Sequence, residues 1–182
     1  MTEGATAPAA GGFGWRRAGE AGLGFRPITD ADLPFLKRVY FSTRVDELAH
    51  VPWSDAQKTA FLEMQFNAQH KDYQANYLQA QWLVVYRGDE AIGRLYLDRW
   101  AREYRVIDIA FLPAHRGKGY GAALMQDLID EAAAAGKAVS IHVEKNNPAR
   151  RLYTRLGFET VAEHGVYDRL ERRPGVSQVN MA

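Results

Sequence analysis

The chain has 182 residues, of which 47% are hydrophobic and 25% charged, proportions typical of one soluble globular domain with a sizeable core. With a net charge of +1 the chain lacks the strong positive charge of proteins that bind nucleic acids or anionic membranes. It also contains no run of about 20 apolar residues, so no membrane span is predicted. The absence of cysteine excludes disulfides, thiolate metal sites and a cysteine nucleophile, and it agrees with the reducing cytoplasm in which we expect the protein. The five histidines lack the spacing of a metal site, so we expect no metal.

The two ends of the chain differ in composition from the part between them. Residues 1–23 are rich in glycine and alanine, are broken by Pro8 and contain no continuous apolar stretch, so they predict a flexible extension rather than a signal peptide. Residues 174–182 begin with a Pro-Gly pair and predict a flexible tail. A single folded domain is therefore expected over residues 24–173.

Between these ends, hydrophobic periodicity predicts an alternation of strands and helices. In chain order the predicted elements are a strand at 24–28, a helix from Thr29 or Asp30, a helix from about Ser54, strands at 81–86, 91–100 and 106–112, a helix at 119–135, a strand at 138–144, a short helix at 148–156, and strands at 158–162 and 166–170. The resulting order is β-α-α-β-β-β-α-β-α-β-β, which indicates a fold of the α/β (α+β) class.

A basic, glycine-rich turn joins a predicted strand to the long predicted helix. It reads Arg-Gly-Lys-Gly-Tyr-Gly over residues 116–121, and its alternating glycines leave backbone N–H groups uncovered at a helix N-terminus, which suits a phosphate-bearing ligand. A P-loop is excluded, because no hydroxyl residue follows the lysine. A Rossmann turn stays open, since Gly117, Gly119 and Ala122 fit its pattern and Glu144 is an acidic residue that could bind a ribose. A dinucleotide-dependent oxidoreductase is therefore one alternative.

A second motif lies between residues 146 and 158, where the chain reads Asn-Asn-Pro-Ala-Arg-Arg-Leu-Tyr-Thr-Arg-Leu-Gly-Phe. It predicts a short helix with Asn147 as N-cap, Pro148 in the first turn and Gly157 just beyond the end. This motif resembles one signature of the GNAT superfamily of N-acetyltransferases, namely Asn-x-x-Ala, a tyrosine four residues later, and Leu-Gly-Phe. The glycine-rich turn resembles the other, the acetyl-CoA pyrophosphate loop Arg/Gln-x-x-Gly-x-Gly/Ala. The resemblance covers residues 25–170.

The resemblance implies a GNAT fold, in which a mixed central sheet of six to seven strands is flanked by about four helices. It implies transfer of the acetyl group of acetyl-CoA to a primary amine by direct attack in a ternary complex, without a metal. The acceptor would be a small metabolite or a peptide or protein amine, and the protein a monomer or homodimer. The alternative within the same fold is a catalytically silent acyl-CoA-binding sensor or scaffold.

The resemblance also assigns positions that bind the acetyl-CoA. The backbone of the strand before the turn is expected to pair with the pantetheine arm, and the amides of the turn are expected to hold the pyrophosphate. The expected contacts are Ile109, Ala110, Phe111, Arg116, Gly117, Lys118, Gly119, Tyr120, Gly121, Ala122, Asn146, Ala149 and Tyr153.

Tyr153 matches the family's tyrosine beside the thioester sulfur, and its phenol is the expected general acid for the leaving thiolate; a tyrosine that only packs on the core is the alternative. The general base is open, because the positions of the family glutamates hold Arg105 and Ile141 here. Asp108, set between two isoleucines, is the most conspicuous candidate, with a structural hydrogen-bonding role as its alternative. The remaining candidates are Asp98, His142, Glu144 and a water relay.

The resemblance also implies an acceptor pocket between the two N-terminal helices and the closing hairpin. Candidates for its lining are Tyr40, Arg44, Glu47, Trp53, Tyr96 and Tyr167. Arg44 and Trp53 suggest recognition of a carboxylate or of a flat group, but the sequence does not name the acceptor.

Overall fold

The computed structural model describes residues 13–175, so most of the predicted extension (1–12) and tail (176–182) lies outside the described residues. Within the described range the chain forms five α-helices and seven strands. In chain order these elements are α1 (Arg16–Glu20), β1 (Leu23–Pro27), α2 (Leu33–Arg44), α3 (Asp55–Asn76), β2 (Gln81–Arg87), β3 (Glu90–Arg99), β4 (Glu103–Phe111), α4 (Tyr120–Ala134), β5 (Ala138–Glu144), α5 (Arg150–Arg155), β6 (Glu159–His164) and β7 (Tyr167–Arg172). The α/β class predicted from the sequence is confirmed.

All seven strands join one sheet in the order β1-β2-β3-β4-β5-β7-β6. Neighbouring strands are antiparallel except β4 and β5, which run parallel. A parallel pair needs a long crossover connection, and here that connection contains the glycine-rich turn and α4. The N-terminus of α4 therefore follows directly on the end of β4.

Helices cover both faces of the sheet, and each face has its own apolar core. On one face α1 and α4 pack against strand residues such as Leu95 and Val106, both of which are 0% exposed. On the other face α2 and α3 pack against Val84 through Leu36 and Phe66. The central strands read as long apolar runs because both of their faces are buried. In the part of the chain described here, no helix combines the length and the hydropathy needed to cross a membrane.

The helix α1 corrects the expectation of a flexible extension over residues 1–23. Trp15, which precedes the helix, is 7% exposed and donates a hydrogen bond from Nε1 to Glu131 of α4 at 2.7 Å. The backbone N–H of Ala18 donates to the carboxylate of Asp127, also on α4, at 2.8 Å. The described part of the predicted extension is therefore packed on the domain, because α4 supplies both an apolar surface and hydrogen-bond acceptors for this segment.

The sheet is irregular where β4 meets its two neighbours. β4 pairs with β5 only as far as Val106, although both strands continue beyond this level. The pairing with β3 shifts at the same place: Leu97 lies opposite Val106, whereas Tyr96 lies opposite Asp108, which leaves Ile107 as a β-bulge. β4 and β5 therefore diverge beyond the bulge and leave a gap in the sheet.

Candidate active site

An open strand edge forms one side of the gap. Beyond Val106, the edge of β4 that faces β5 has no strand partner within residues 13–175. Ile109, Ala110 and Phe111 lie on this part of β4, which is where the resemblance implies contacts with a pantetheine arm. An extended ligand that carries amide groups can hydrogen bond to such an edge as though it were an added strand.

The glycine-rich turn lies at the end of this edge and leads into α4. Gly117 and Gly119 have φ values of +70° and +83°, a left-handed conformation that favours glycine, and nothing lies within 4 Å of where their Cβ atoms would stand. Because the first N–H groups of a helix have no intrahelical partner, the amides of residues 120–122 are available in front of α4. Together with the exposed Lys118, these amides fit a diphosphate group.

Arg116 holds the turn in place rather than facing the space in front of α4. Its Nε donates to the carbonyl oxygen of Phe111 at 2.8 Å, and its Nη2 donates to the hydroxyl of Ser42 on α2 at 2.7 Å. Its backbone N–H donates to the carbonyl oxygen of Pro113 at 3.2 Å and is therefore already engaged. The amides of residues 117–122 are the ones left for a ligand.

A cavity of about 170 Å³ lies beside the gap. Its walls come from α2, α3, β3, β4, β5 and β7, and Tyr153 of α5 contributes to it. Ile109 and Ala110 line the cavity and also belong to the open edge of β4. A ligand on the edge and a second ligand in the cavity would therefore be immediate neighbours.

Tyr153 is a buried side chain whose phenol reaches this cavity. The residue is 4% exposed, and its ring packs edge-on against Phe158 with the centroids 5.7 Å apart. Among the described residues, no group forms a hydrogen bond to the phenol oxygen. Burial, and secondly the negative charge of Asp108, raises the pKa of Tyr153 above its usual range. The phenol therefore stays protonated at neutral pH and can donate a hydrogen bond.

The segment before α5 is anchored by its own side chains. Asn147 lines the cavity and accepts a hydrogen bond from the N–H of Ala149 at 2.9 Å, as an N-capping residue does. Arg150 forms an ion pair with Asp168 of β7 at 2.8 Å, which ties the start of α5 to the sheet. Asn146, the residue that matches the family asparagine, is exposed.

Asp108 lies on the cavity wall and forms an ion pair. Nη2 of Arg94, on β3, donates to Oδ2 of Asp108 at 2.7 Å, and the two side chains are 3% and 16% exposed, respectively. Within residues 13–175, no donor hydrogen bonds to the other carboxylate oxygen, Oδ1. Asp108 thus combines a structural partner with a free acceptor atom on the cavity wall, and both roles expected for it are compatible with this position.

The other candidates for a base are less well placed. His142 lines the cavity, but Nη1 of Arg105 lies 3.2 Å from its Nδ1, and partial burial together with that positive charge lowers the pKa of His142. Glu144 is engaged by Arg44 at 2.6 Å. Asp98 is buried but does not line the cavity. No group of three or more His, Asp or Glu side chains in the described part of the chain is arranged to hold a metal ion.

Part of the cavity wall was predictable from the sequence. Four of the six residues predicted for the acceptor pocket line the cavity, namely Tyr40, Arg44, Glu47 and Tyr167. Of the other two, Trp53 packs its ring against Phe61 instead, and Tyr96 is 1% exposed beside Arg94. The sequence pattern does not single out Tyr73 and Arg94, which also line the cavity. A charge inside the apolar run of β3 was the available signal for Arg94.

Solved structures of acetyltransferases share this fold. PaiA N-acetyltransferase from Thermoplasma acidophilum, solved with coenzyme A, is 16% identical and superposes with a TM-score of 0.63 over 83% of this chain and 98% of that chain. Spermidine N-acetyltransferase from Vibrio cholerae, solved with CoA and spermine, is 19% identical, with a TM-score of 0.57 over 85% and 96%. An acetyltransferase from Thermus thermophilus is 20% identical, with a TM-score of 0.56 over 83% and 96%. The predicted GNAT fold is confirmed.

The sequence also matches a family model. No curated protein matches the chain, but the model of the Acetyltransferase (GNAT) family matches residues 44–158. This range is more than half of the chain, and it contains the glycine-rich turn, both diverging strands and Tyr153. The predicted assignment as an N-acetyltransferase of this family is confirmed, and the chain belongs to the acetyltransferase (GNAT) family.

Proposed function

We propose that this acetyltransferase transfers the acetyl group of acetyl-CoA directly to a primary amine bound in the cavity. The observation that carries the proposal is the contact between the open edge of β4 and the cavity, which share Ile109 and Ala110. The relatives solved with CoA support the choice of donor, and the one solved with spermine supports an amine as acceptor.

The open edge and the N-terminus of α4 would hold the donor. Backbone groups of Ile109–Phe111 would pair with the amides of the pantetheine arm, and the amides of residues 117–122 would hold the diphosphate. Each phosphate charge gains roughly 0.3–1 kcal/mol from the dipole of the helix. Lys118 adds a mobile positive charge at the same place.

The chemistry requires one new bond and two proton movements. The amine nitrogen bonds to the thioester carbonyl carbon, the carbon–sulfur bond breaks, the nitrogen loses a proton and the sulfur gains one. Tyr153 would donate its proton or a hydrogen bond to the sulfur. Asp108 would accept a hydrogen bond from the amine through Oδ1 and take its proton, while a backbone N–H near Ile109 would polarise the carbonyl oxygen.

The test is the release of CoA thiol from acetyl-CoA across a panel of amines. The panel contains amino acids, polyamines, aminoglycosides, peptides with a free N-terminus and lysine peptides. Release with one class supports the proposal and identifies the type of acceptor. Protein that binds acetyl-CoA but releases no thiol with any amine would refute the proposal in favour of a silent acyl-CoA-binding module. Binding of NAD without binding of CoA would favour the oxidoreductase alternative.

A further inference from the structure

Arg94 is a buried cation whose hydrogen-bonding capacity is largely unused. The residue is 2% exposed, and its guanidinium carries five N–H donors. Only Nη2 forms a hydrogen bond within the described part of the chain, to Asp108, and Nε is buried without an acceptor. Burial is the largest single influence and disfavours the charge, but Asp108 and the phenols of Tyr96 and Tyr73 together raise the pKa of Arg94, so the guanidinium stays charged.

The surroundings of Arg94 stabilise its charge without satisfying its donors. The rings of Tyr96 and Tyr40 lie 5.2 and 5.9 Å from the guanidinium carbon, within range of a cation–π interaction. A ring face attracts a cation but does not replace the oxygen that a buried N–H group requires. Because Arg94 lines the cavity, a ligand in the cavity can supply that oxygen.

The position of Asp108 restricts what kind of ligand this is. Nη2 of Arg94 and Oδ2 of Asp108 are 2.7 Å apart, so the remaining donor Nη1 and the remaining acceptor Oδ1 belong to two groups in direct contact. A ligand that uses both must present a nitrogen and an oxygen close together. The nitrogen, an N–H donor, would face Asp108, and the oxygen, an acceptor, would face Arg94.

We propose that Arg94 binds an oxygen of the acceptor, either a carboxylate or an amide carbonyl, attached to the carbon that carries the reacting amine. The acceptor is then an α-amino acid or the N-terminal residue of a peptide. This inference rests on the proposed function, because it places the amine beside Asp108. The acidic side chains at the edge of the cavity do not oppose it, since Arg44 engages Glu47 at 2.9 Å and Glu144 at 2.6 Å.

Matched acceptors test the inference on the unmodified enzyme. The first set is alanine, alaninamide and ethylamine, and the second is tyrosine, tyrosinamide and tyramine; within each set the last compound lacks the oxygen. We expect kcat/KM for the acid or the amide to exceed that of the simple amine by about 10- to 100-fold, as for one hydrogen bond to a charged group. Preference for the acid indicates free amino acids, and preference for the amide indicates peptide N-termini. If the simple amines are turned over as fast as the acids and amides, or faster, this inference is refuted while the proposed function stands.

A variant links the preference to this side chain. Arg94→Lys keeps a positive charge near Asp108 but removes the planar donors, so the ratio of kcat/KM between amide and simple amine should fall towards one. Because the ratio is measured on one preparation, a partly unfolded variant does not alter it. Arg99→Lys, on the same strand but outside the cavity, should keep the wild-type ratio. An unchanged ratio in Arg94→Lys refutes the inference, and an enzyme silent with every acceptor refutes the proposed function together with it.

Discussion

Replacing Tyr153 by phenylalanine removes one oxygen atom from the cavity and leaves the packing around it intact. The ring can stay edge-on against Phe158, and no hydrogen bond to another described residue is lost. The free energy of unfolding should therefore change by less than about 1 kcal/mol. This separation of packing from chemistry makes the substitution a clean test of the phenol.

The expected effect on turnover is much larger than the effect on stability. A positioned general acid contributes at least about 100-fold to the rate, which corresponds to roughly 2.7 kcal/mol in the activation free energy. We therefore expect kcat of Tyr153→Phe to fall by about 100-fold or more. Because burial and Asp108 raise the pKa of Tyr153, the phenol keeps its proton through the ordinary tyrosine value of about 10. Wild-type kcat should accordingly show no alkaline loss from this group below that pH.

The assay is CoA thiol release at saturating acetyl-CoA, with thermal unfolding and acetyl-CoA affinity measured on the same preparations. Tyr104→Phe is the matched control, because Tyr104 is also buried, at 6% exposed, but lies in the core rather than in the cavity. Its kcat should not change. Unaltered kcat in Tyr153→Phe, or an equal loss in the control, would show that the phenol is not the acid.

Three further changes probe the base, the turn and stability. Asp108→Asn should lower kcat/KM at least about tenfold in a folded protein, because an amide takes no proton. Asp98→Asn, which changes a buried carboxylate outside the cavity, should leave kcat/KM unchanged. Loss of folding in Asp108→Asn would instead assign Asp108 a structural role. Gly119→Ala, at φ +83°, should weaken acetyl-CoA binding about tenfold by calorimetry. Gly88→Ala, at φ +59° in a distant turn, should lower the free energy of unfolding by a similar amount but leave the affinity for acetyl-CoA unchanged. Equal affinities in the two variants would contradict this expectation. Hydrogen bonds from the neighbouring arginine of β1 lower the pKa of Asp32 from 3.8 to about 2. This carboxylate therefore stabilises the fold fully at a pH above its pKa in the unfolded chain, and the stabilisation is lost as the pH falls towards 2. Urea unfolding should find Asp32→Asn roughly 2 kcal/mol less stable at pH 7 and close to wild type near pH 2; a gap that does not depend on pH would contradict the linkage.

Elements with strong local signals could be predicted from the sequence. β5 spans Ala138–Glu144, as predicted, because its apolar run is bounded by Gly136 and followed by Pro148. The start of α3 is equally local, since the hydroxyl of Ser54 accepts a hydrogen bond from the N–H of Gln57 at 3.2 Å. In both cases the residues that decide the boundary lie within a few positions of it.

Elements held by distant residues could not be predicted in this way. The five residues of α1 include Gly19 and are too few to form a stable helix alone. Their order depends on contacts such as the one between Trp15 and Glu131, which are 116 positions apart. β4 likewise begins at Glu103 rather than at residue 106, and the Glu103 side chain accepts a hydrogen bond from Ser140 of β5 at 2.7 Å.

The candidate site divides along the same line. The glycine-rich turn and the motif around Tyr153 are contiguous in sequence, so the order of their residues is enough to show the resemblance to a family. The cavity is not contiguous, and the pairing of Arg94 with Asp108 depends on how two strands align. The catalytic and binding roles of these residues remain predictions that the experiments above test.

The bulge at Ile107 decides which face of the sheet receives the carboxylate of Asp108. Tyr104 and Val106 pack in the core beneath α4, and strict alternation would send Asp108 to the same apolar side. A register shift of β4 that removed the bulge would therefore place an unpaired carboxylate among hydrophobic residues, at a cost of several kcal/mol. The ion pair with Arg94 thus penalises the wrong alignment of β3 and β4. Substitutions of Arg94 or Asp108 that change what the cavity binds will therefore also affect how reliably β3 and β4 adopt the correct register during folding.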